Sequence, residues 1–245
     1  MRDAKPDRNH RFSNPAKALF GLLGLILWIP IAVSCSGDPP TAAKTRPTSS
    51  PTPRYEGTIV AMGDSLTAGL GLAEEEAYPA QLARRLSAAG HPFKVVNAGV
   101  SGETSSGALS RVEWVIASLK PDIVILETGA NDGLRGIDPA LLEANLNRLI
   151  TIFKTHKIEV VLAGMQMLPN LGPDYTSAFK TIYPRIAQQH RIILIPFFLD
   201  GVAGRDDLNQ PDKIHPTAAG YTRIVDTIYP FVLNAIDTWK KNSHN

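Results

Sequence analysis

The sequence predicts an α/β protein in which one parallel sheet of five strands carries helices on both faces. Three observations lead there. Short apolar runs alternate with longer amphipathic stretches from residue 57 to residue 240, in the order β-α repeated five times. The third run, "DIVILETG", is apolar through its middle, as a strand covered on both faces should be. The intervening stretches are amphipathic, and the first two of them stop at Gly90 and Pro121.

Taken in order, "TIVAM" is the first strand. "YPAQLARRLSAAG" is a helix with Leu82 and Leu86 on one face and Gly90 as its stop. "FKVVNAG" is the second strand. "SSGALSRVEWVIASLK" is a helix with Leu109, Val112, Val115, Ile116 and Leu119 on its apolar face, ended by Pro121. After the third strand, "DPALLEANLNRLITIFKTH" is a helix capped by Asp138 with Pro139 in its first position. "IEVVLAGM" is the fourth strand, "YTSAFKTIYPRIAQQH" a helix with a kink expected at Pro184, and "RIILIPFF" the fifth strand. "TAAGYTRIVDTIYPFVLNAIDTWKK" closes the domain as a helix broken or kinked at Pro230. No repeat of fixed period is present.

The 245 residues, 44% hydrophobic and 20% charged, suit one globular domain plus an appendage. The appendage is N-terminal. "MRDAKPDRNHRFSNPAK" is polar with a positive excess, "ALFGLLGLILWIPIAV" is an uncharged apolar run, and "VSCSG" supplies small residues, so residues 1–35 read as an export segment. Residues 36–56, rich in Pro, Ser and Thr, read as an extended tether, and residues 241–245 as a tail. The formal net charge of +2 belongs to the first segment, where Arg2, Lys5, Arg8, Arg11 and Lys17 face only Asp3 and Asp7. The body is near neutral, which gives no argument for a nucleic-acid partner. Cys35 is the one cysteine, so no internal disulfide exists.

Ligands of such sheets lie beyond the C-terminal ends of the strands. That is where the unusual residues fall. Ser65 follows the first strand in "GDSL", Gly102 the second in "NAGVSGETSSG", and Asn131 the third in "GANDG"; Asp212 and His215 come after the fifth in "DKIHP". These types suit acyl transfer. A serine hydroxyl needs a base, which a neutral imidazole supplies. An acid on the other ring nitrogen fixes the tautomer, and Asp212 lies one turn before His215. The Asn131 amide and the backbone N–H groups of Ser65 and Gly102 are suitable donors to an oxyanion. Each residue alone has a plainer reading: Ser65 as a helix cap, Asn131 and Asp212 as turn residues, Gly102 as a left-handed turn, His215 as a loop histidine. Their joint order after successive strands favours the chemical reading.

The blocks "MGDSLTAG", "NAGVSGETSSG", "ETGANDGLRG" and "DKIHPTAAG" resemble those of the GDSL, or SGNH, hydrolase superfamily, across nearly all of residues 57–240. "LPNLGPDYTSAFKTIYPRIA" and "IPFFLDGVAG" resemble its thioesterase/lysophospholipase/arylesterase branch. The resemblance implies a flavodoxin-like three-layer α/β/α sandwich. It implies Ser65 as nucleophile, His215 as base, Asp212 as orienting acid, and Ser65, Gly102 and Asn131 as oxyanion donors, with no metal or organic cofactor. The implied substrates are small-molecule or lipid esters and thioesters, hydrolysed through an acyl-enzyme; a cell-envelope carbohydrate O-acetylesterase is the alternative. "AVSC" resembles a bacterial lipobox, with Ala32 where Leu is usual, which makes Cys35 a lipidation candidate and the membrane a partner through that anchor. Signal cleavage near Ser34, retention as an anchor helix, or an incidental cysteine are the alternatives. All the export readings put the body outside the cytoplasm.

Other residues are given plainer roles. Asp64 and Asp132 are expected to hold loop backbone. His91, His156 and His190 fall at helix ends on the opposite edge of the sheet. "GLGLAEEEAYP" is expected as a flexible rim or helix start. Met165, Met167, Leu168 and Leu171, after the fourth strand, are divided between an acyl groove and the core.

Overall fold

The computed structural model of the chain describes residues 54–167 and 169–243. The export segment with Cys35, the tether up to residue 53, Leu168 and residues 244–245 lie outside the described residues. Strands β1 (Gly57–Gly63), β2 (Phe93–Gly99), β3 (Ile123–Glu127), β4 (Glu159–Ala163) and β5 (Ile193–Ile195) form one sheet in the order β2-β1-β3-β4-β5. All pairings are parallel, with Ile59 opposite Val95 on one side and Ile123 on the other.

Seven α-helices are present among the described residues: α1 (Ser65–Ala68), α2 (Tyr78–Ala88), α3 (Ser105–Leu119), α4 (Ala130–Leu134), α5 (Pro139–Thr155), α6 (Pro173–His190) and α7 (Ala218–Ser243). α2 packs with α7 on one face, and α5 packs with α3 and α6 on the other. The expected α/β sandwich is therefore the observed one. Ile59–Met62 of β1 and all of β3 are buried, which explains their continuous apolar sequence. Caps appear where the sequence predicts them. Asp138 accepts from the Ala140 N–H at 2.9 Å, and Lys120 ends α3 in a left-handed conformation just before Pro121.

Two expectations are modified, the length of the fifth strand and the break at Pro230. The fifth strand covers three residues, because Pro196 has no N–H to continue the ladder; Phe198 instead donates to Gly164 O at 2.9 Å. The closing helix runs on through Pro230 without a break, and α6 is likewise continuous through Pro184. Both prolines are exposed, so water can take the carbonyl each leaves unpaired. Of the two expectations for "GLGLAEEEAYP", the helix start is observed: a 3₁₀ turn, Glu74–Glu76, leads into α2. No helix among the described residues is long and apolar enough to cross a membrane.

The chain winds outward from β1 to β2, then crosses back past β1 to β3. The winding direction thus reverses between β1 and β3, which opens a crevice at their C-terminal ends. Ser65 follows β1 and Asn131 follows β3.

Candidate active site

β1 ends at Gly63, and Asp64 caps the single turn of α1 by accepting from the Leu66 N–H at 2.9 Å. Ser65 is therefore the first helical residue and not the cap, so its hydroxyl is not spent on the helix. Gly63 is required by what lies beside it. A Cβ there would stand 2.5 Å from both the carbonyl oxygen and Oε2 of Glu127.

The loop after β5 returns to this point. Gln210 N–H donates to His215 O at 2.7 Å, and Gln210 Nε2 donates to Leu70 O at 2.7 Å, which ties the loop to the segment after α1. Asp212 Oδ1 accepts from the backbone N–H groups of Ile214 (2.9 Å) and His215 (3.0 Å). Its Oδ2 lies 2.7 Å from His215 Nδ1, and His215 Nε2 lies 2.9 Å from Ser65 Oγ. The His215 and Ile214 N–H groups, then the imidazole, hold the Asp212 carboxyl down at about 2. An ionised carboxylate only accepts, so Nδ1 carries the imidazole proton and Nε2 is the acceptor facing the serine.

Gly102 sits after β2 with φ +80°, a left-handed conformation suited to glycine. The following carboxylate, Glu103, holds Arg111 of α3 at 2.6 and 2.7 Å, and Arg111 in turn donates to Ala98 O at 2.8 Å. Asn131 Nδ2 donates to Asp64 Oδ2 and to Glu103 O, each at 3.0 Å. One amide thus joins the turns after β1, β2 and β3. The N–H groups of Ser65 and Gly102 meet no acceptor among the described residues. Asp132 points away and accepts from Ser105 N–H (2.8 Å) and Ser105 Oγ (2.5 Å), a backbone-holding role like that expected of it. All five residues singled out from the sequence are thus assembled at one sheet edge.

The sequence profile described as the "GDSL-like Lipase/Acylhydrolase family" matches residues 61–223. The chain belongs to this family. It is 41% identical over 173 residues to Esterase TesA of Pseudomonas aeruginosa, covering 71% of this chain and 86% of that protein. It is 34% identical over 169 residues to Thioesterase 1/protease 1/lysophospholipase L1 of Escherichia coli K12, covering 69% and 80%. The crystal structure of AlinE4, described as an SGNH-hydrolase family esterase, superposes with a TM-score of 0.62 at 42% identity, over 73% of this chain and 96% of that one.

In this GDSL-like hydrolase an apolar groove of about 360 Å³ adjoins the serine. Its lining includes Leu66, Ala130 and Ile214, chain neighbours of Ser65, Asn131 and His215, together with Met167, Leu171 and Phe197. Met165 and Met167 both line the groove, Met165 buried among the core residues and Met167 partly exposed. Trp114 is exposed on α3, and Trp239 packs edge-on against Phe93 at 5.5 Å; neither lines the groove. His156 caps the end of α5 and His190 ends α6, both at the opposite edge. Among the described residues, no cluster of three His, Cys, Asp or Glu side chains could hold a metal ion.

Sequence reasoning missed Thr67, Glu103, Arg111, Glu127 and Gln210. Glu127 carried one signal: a carboxylate at the end of an otherwise wholly apolar strand.

Proposed function

We propose that Ser65 is the nucleophile of an acyl hydrolase, with His215 as its base and Asp212 as the acid that orients the base. The observation that carries this reading is the unbroken row Asp212 Oδ2–His215–Ser65 Oγ, at 2.7 and 2.9 Å, opening on an apolar groove. Ser65 Oγ attacks the acyl carbonyl as its proton passes to His215 Nε2. The oxyanion is received by the N–H groups of Ser65 and Gly102, with Asn131 Nδ2 turning from one of its present acceptors as a third donor. Collapse expels the alcohol or thiol, protonated by His215. Water, deprotonated by the same imidazole, then releases the acid from Ser65. Asp212 holds the imidazolium throughout.

The substrate class is an acyl ester or thioester whose chain lies in the groove beside Leu66 and Ile214. A sugar-binding acetylesterase would call for aromatic and polar lining, and the tryptophans of the described residues lie elsewhere. The decisive experiment compares p-nitrophenyl esters of rising chain length on wild type, Ser65→Ala and His215→Ala. Wild type is expected to favour medium or long acyl chains, and the variants to lose nearly all turnover. Equal turnover by all three proteins would sink the reading.

We also propose that residues 57–240 form the hydrolase domain, exported by residues 1–35 and held off a membrane by the 36–56 tether through lipid on Cys35. The support is the sequence pattern alone. Expression with Cys35→Ser and membrane fractionation tests it; an unchanged membrane-bound fraction would count against the anchor.

A further inference from the structure

Beneath the turn that carries Ser65, and not among the groove's lining residues, lies a second carboxyl group that the chemistry above does not use. Glu127 is the last residue of β3 and is wholly buried. Its Oε2 accepts from Thr67 Oγ1 at 2.8 Å and from the Asp64 N–H at 3.2 Å. Both donors belong to the turn that carries Ser65. Its Oε1 has no partner among the described residues. No cation faces it. The groups around it are Asp64 at the start of α1, Tyr78 of α2, Tyr183 of α6 and Tyr221 of α7. Tyr78 hydroxyl lies 3.4 Å from Thr67 Oγ1, Tyr183 donates to Thr128 O at 2.9 Å, and Tyr221 donates to Leu66 O at 2.8 Å.

This environment sorts the two carboxyl groups. Burial pushes both up, Asp64 to about 6 and Glu127 well above its ordinary value, with the neighbouring Asp64 charge adding to the rise at Glu127. Asp64 also has what an anion needs: the Leu66 N–H on Oδ1, the Asn131 amide on Oδ2, and His215 nearby. Glu127 lacks this, and an unpartnered buried oxygen is tolerable on a neutral acid and costly on an anion. The three tyrosine hydroxyls are pushed up by burial and by these same carboxyls, so none competes for the charge.

We propose that Glu127 is a positioning residue for the nucleophile: kept uncharged, it holds the Asp64–Ser65 turn against β3, and its ionisation would drive Asp64 away and release Asn131 from the turn. Asp64 is the hinge of this arrangement. It caps the helix bearing Ser65 with one oxygen and fixes Asn131 with the other. A second charge beside it would disturb nucleophile and oxyanion donor together. Gly63 fits the same picture, since Glu127 Oε2 fills the space its side chain would take. The inference rests on the reading of Ser65 as nucleophile.

The test is the pH dependence of kcat/KM on a p-nitrophenyl acyl ester, supported by the rate of fluorophosphonate labelling, for wild type, Glu127→Gln, Thr67→Val and Ser65→Ala. Wild type should lose activity on the alkaline side by about tenfold per pH unit once Glu127 ionises. Glu127→Gln cannot ionise, but its amide oxygen can accept from Thr67 and Asp64. Its kcat/KM should therefore show no alkaline fall, with KM unchanged. Thr67→Val removes a donor that favours the Glu127 anion, so its alkaline limb should move to higher pH. An alkaline limb in Glu127→Gln that superimposes on wild type would overturn the proposal, as would an unmoved or lowered limb in Thr67→Val. The Thr67 variant also decides the matter if Glu127→Gln fails to fold. Persistent hydrolysis and labelling in Ser65→Ala would instead remove the reading of the site itself.

Discussion

Asp212 holds His215 at two places: Oδ2 meets the imidazole Nδ1 at 2.7 Å, while Oδ1 takes the residue's own backbone N–H at 3.0 Å. The carboxylate therefore fixes the ring and the loop that carries it. In Asp212→Asn the amide oxygen can keep the backbone bonds, but an amide N–H facing Nδ1 imposes the wrong tautomer. That variant should fold normally and lose about 100- to 10,000-fold in kcat, with KM little changed. Steady-state kinetics beside a thermal melt separates the two effects.

The same carboxylate sets an acid-side dependence of stability. Its folded value of about 2 lies below the ordinary 3.8, so its stabilising contribution is complete above about pH 4 and is lost as pH falls toward 2. The side chain is 46% exposed, and solvent screening keeps the contribution small. Urea midpoints of wild type and Asp212→Asn should differ by a constant amount from pH 7 to pH 4 and converge near pH 2. A gap that widens with acid would contradict the assignment.

Gly63→Ala should destabilise the fold, because the added carbon would stand 2.5 Å from the Glu127 carbonyl, which the sheet prevents from moving away. Overpacking of this kind costs about 1–3 kcal/mol. A shift of the urea midpoint with unchanged slope would report it. An unchanged midpoint would mean that β1 and β3 separate more easily than their buried register implies.

Met167 lines the groove and also touches α4, where a Cβ on Gly133 would stand 2.7 Å from Met167 Cε. Met167→Ala removes apolar surface that a long acyl chain would cover. At about 0.8 kcal/mol per methylene, KM for long-chain esters should rise roughly 3- to 10-fold while acetyl ester hydrolysis stays near wild type. An equal change for both substrates would place the acyl chain elsewhere.

The central strands could be read from sequence because they are covered on both faces, which leaves a continuous apolar run in β1 and β3. The assembly of Ser65, Gly102, Asn131, Asp212 and His215 could be read because each follows a strand that could be recognised. What stayed hidden lacks periodicity. α1 and α4 are four and five residues long, too short for a helical repeat to register. β5 was overextended because apolar residues continue through Pro196 into Phe197 and Phe198, although the hydrogen-bond ladder stops. Glu103, Thr67 and Gln210 look like ordinary polar residues in turns. Only the packing of distant segments makes them cross-braces.

Ser65 and His215 lie 150 residues apart, and the loop bearing the histidine is tied back through Gln210 to Leu70. In the proposed roles, the nucleophile is made early and its base nearly last. A chain still under synthesis, or one clipped before Asp212, carries the nucleophile with nothing to deprotonate it. On the proposed reading, hydrolysis therefore waits until the whole domain has closed.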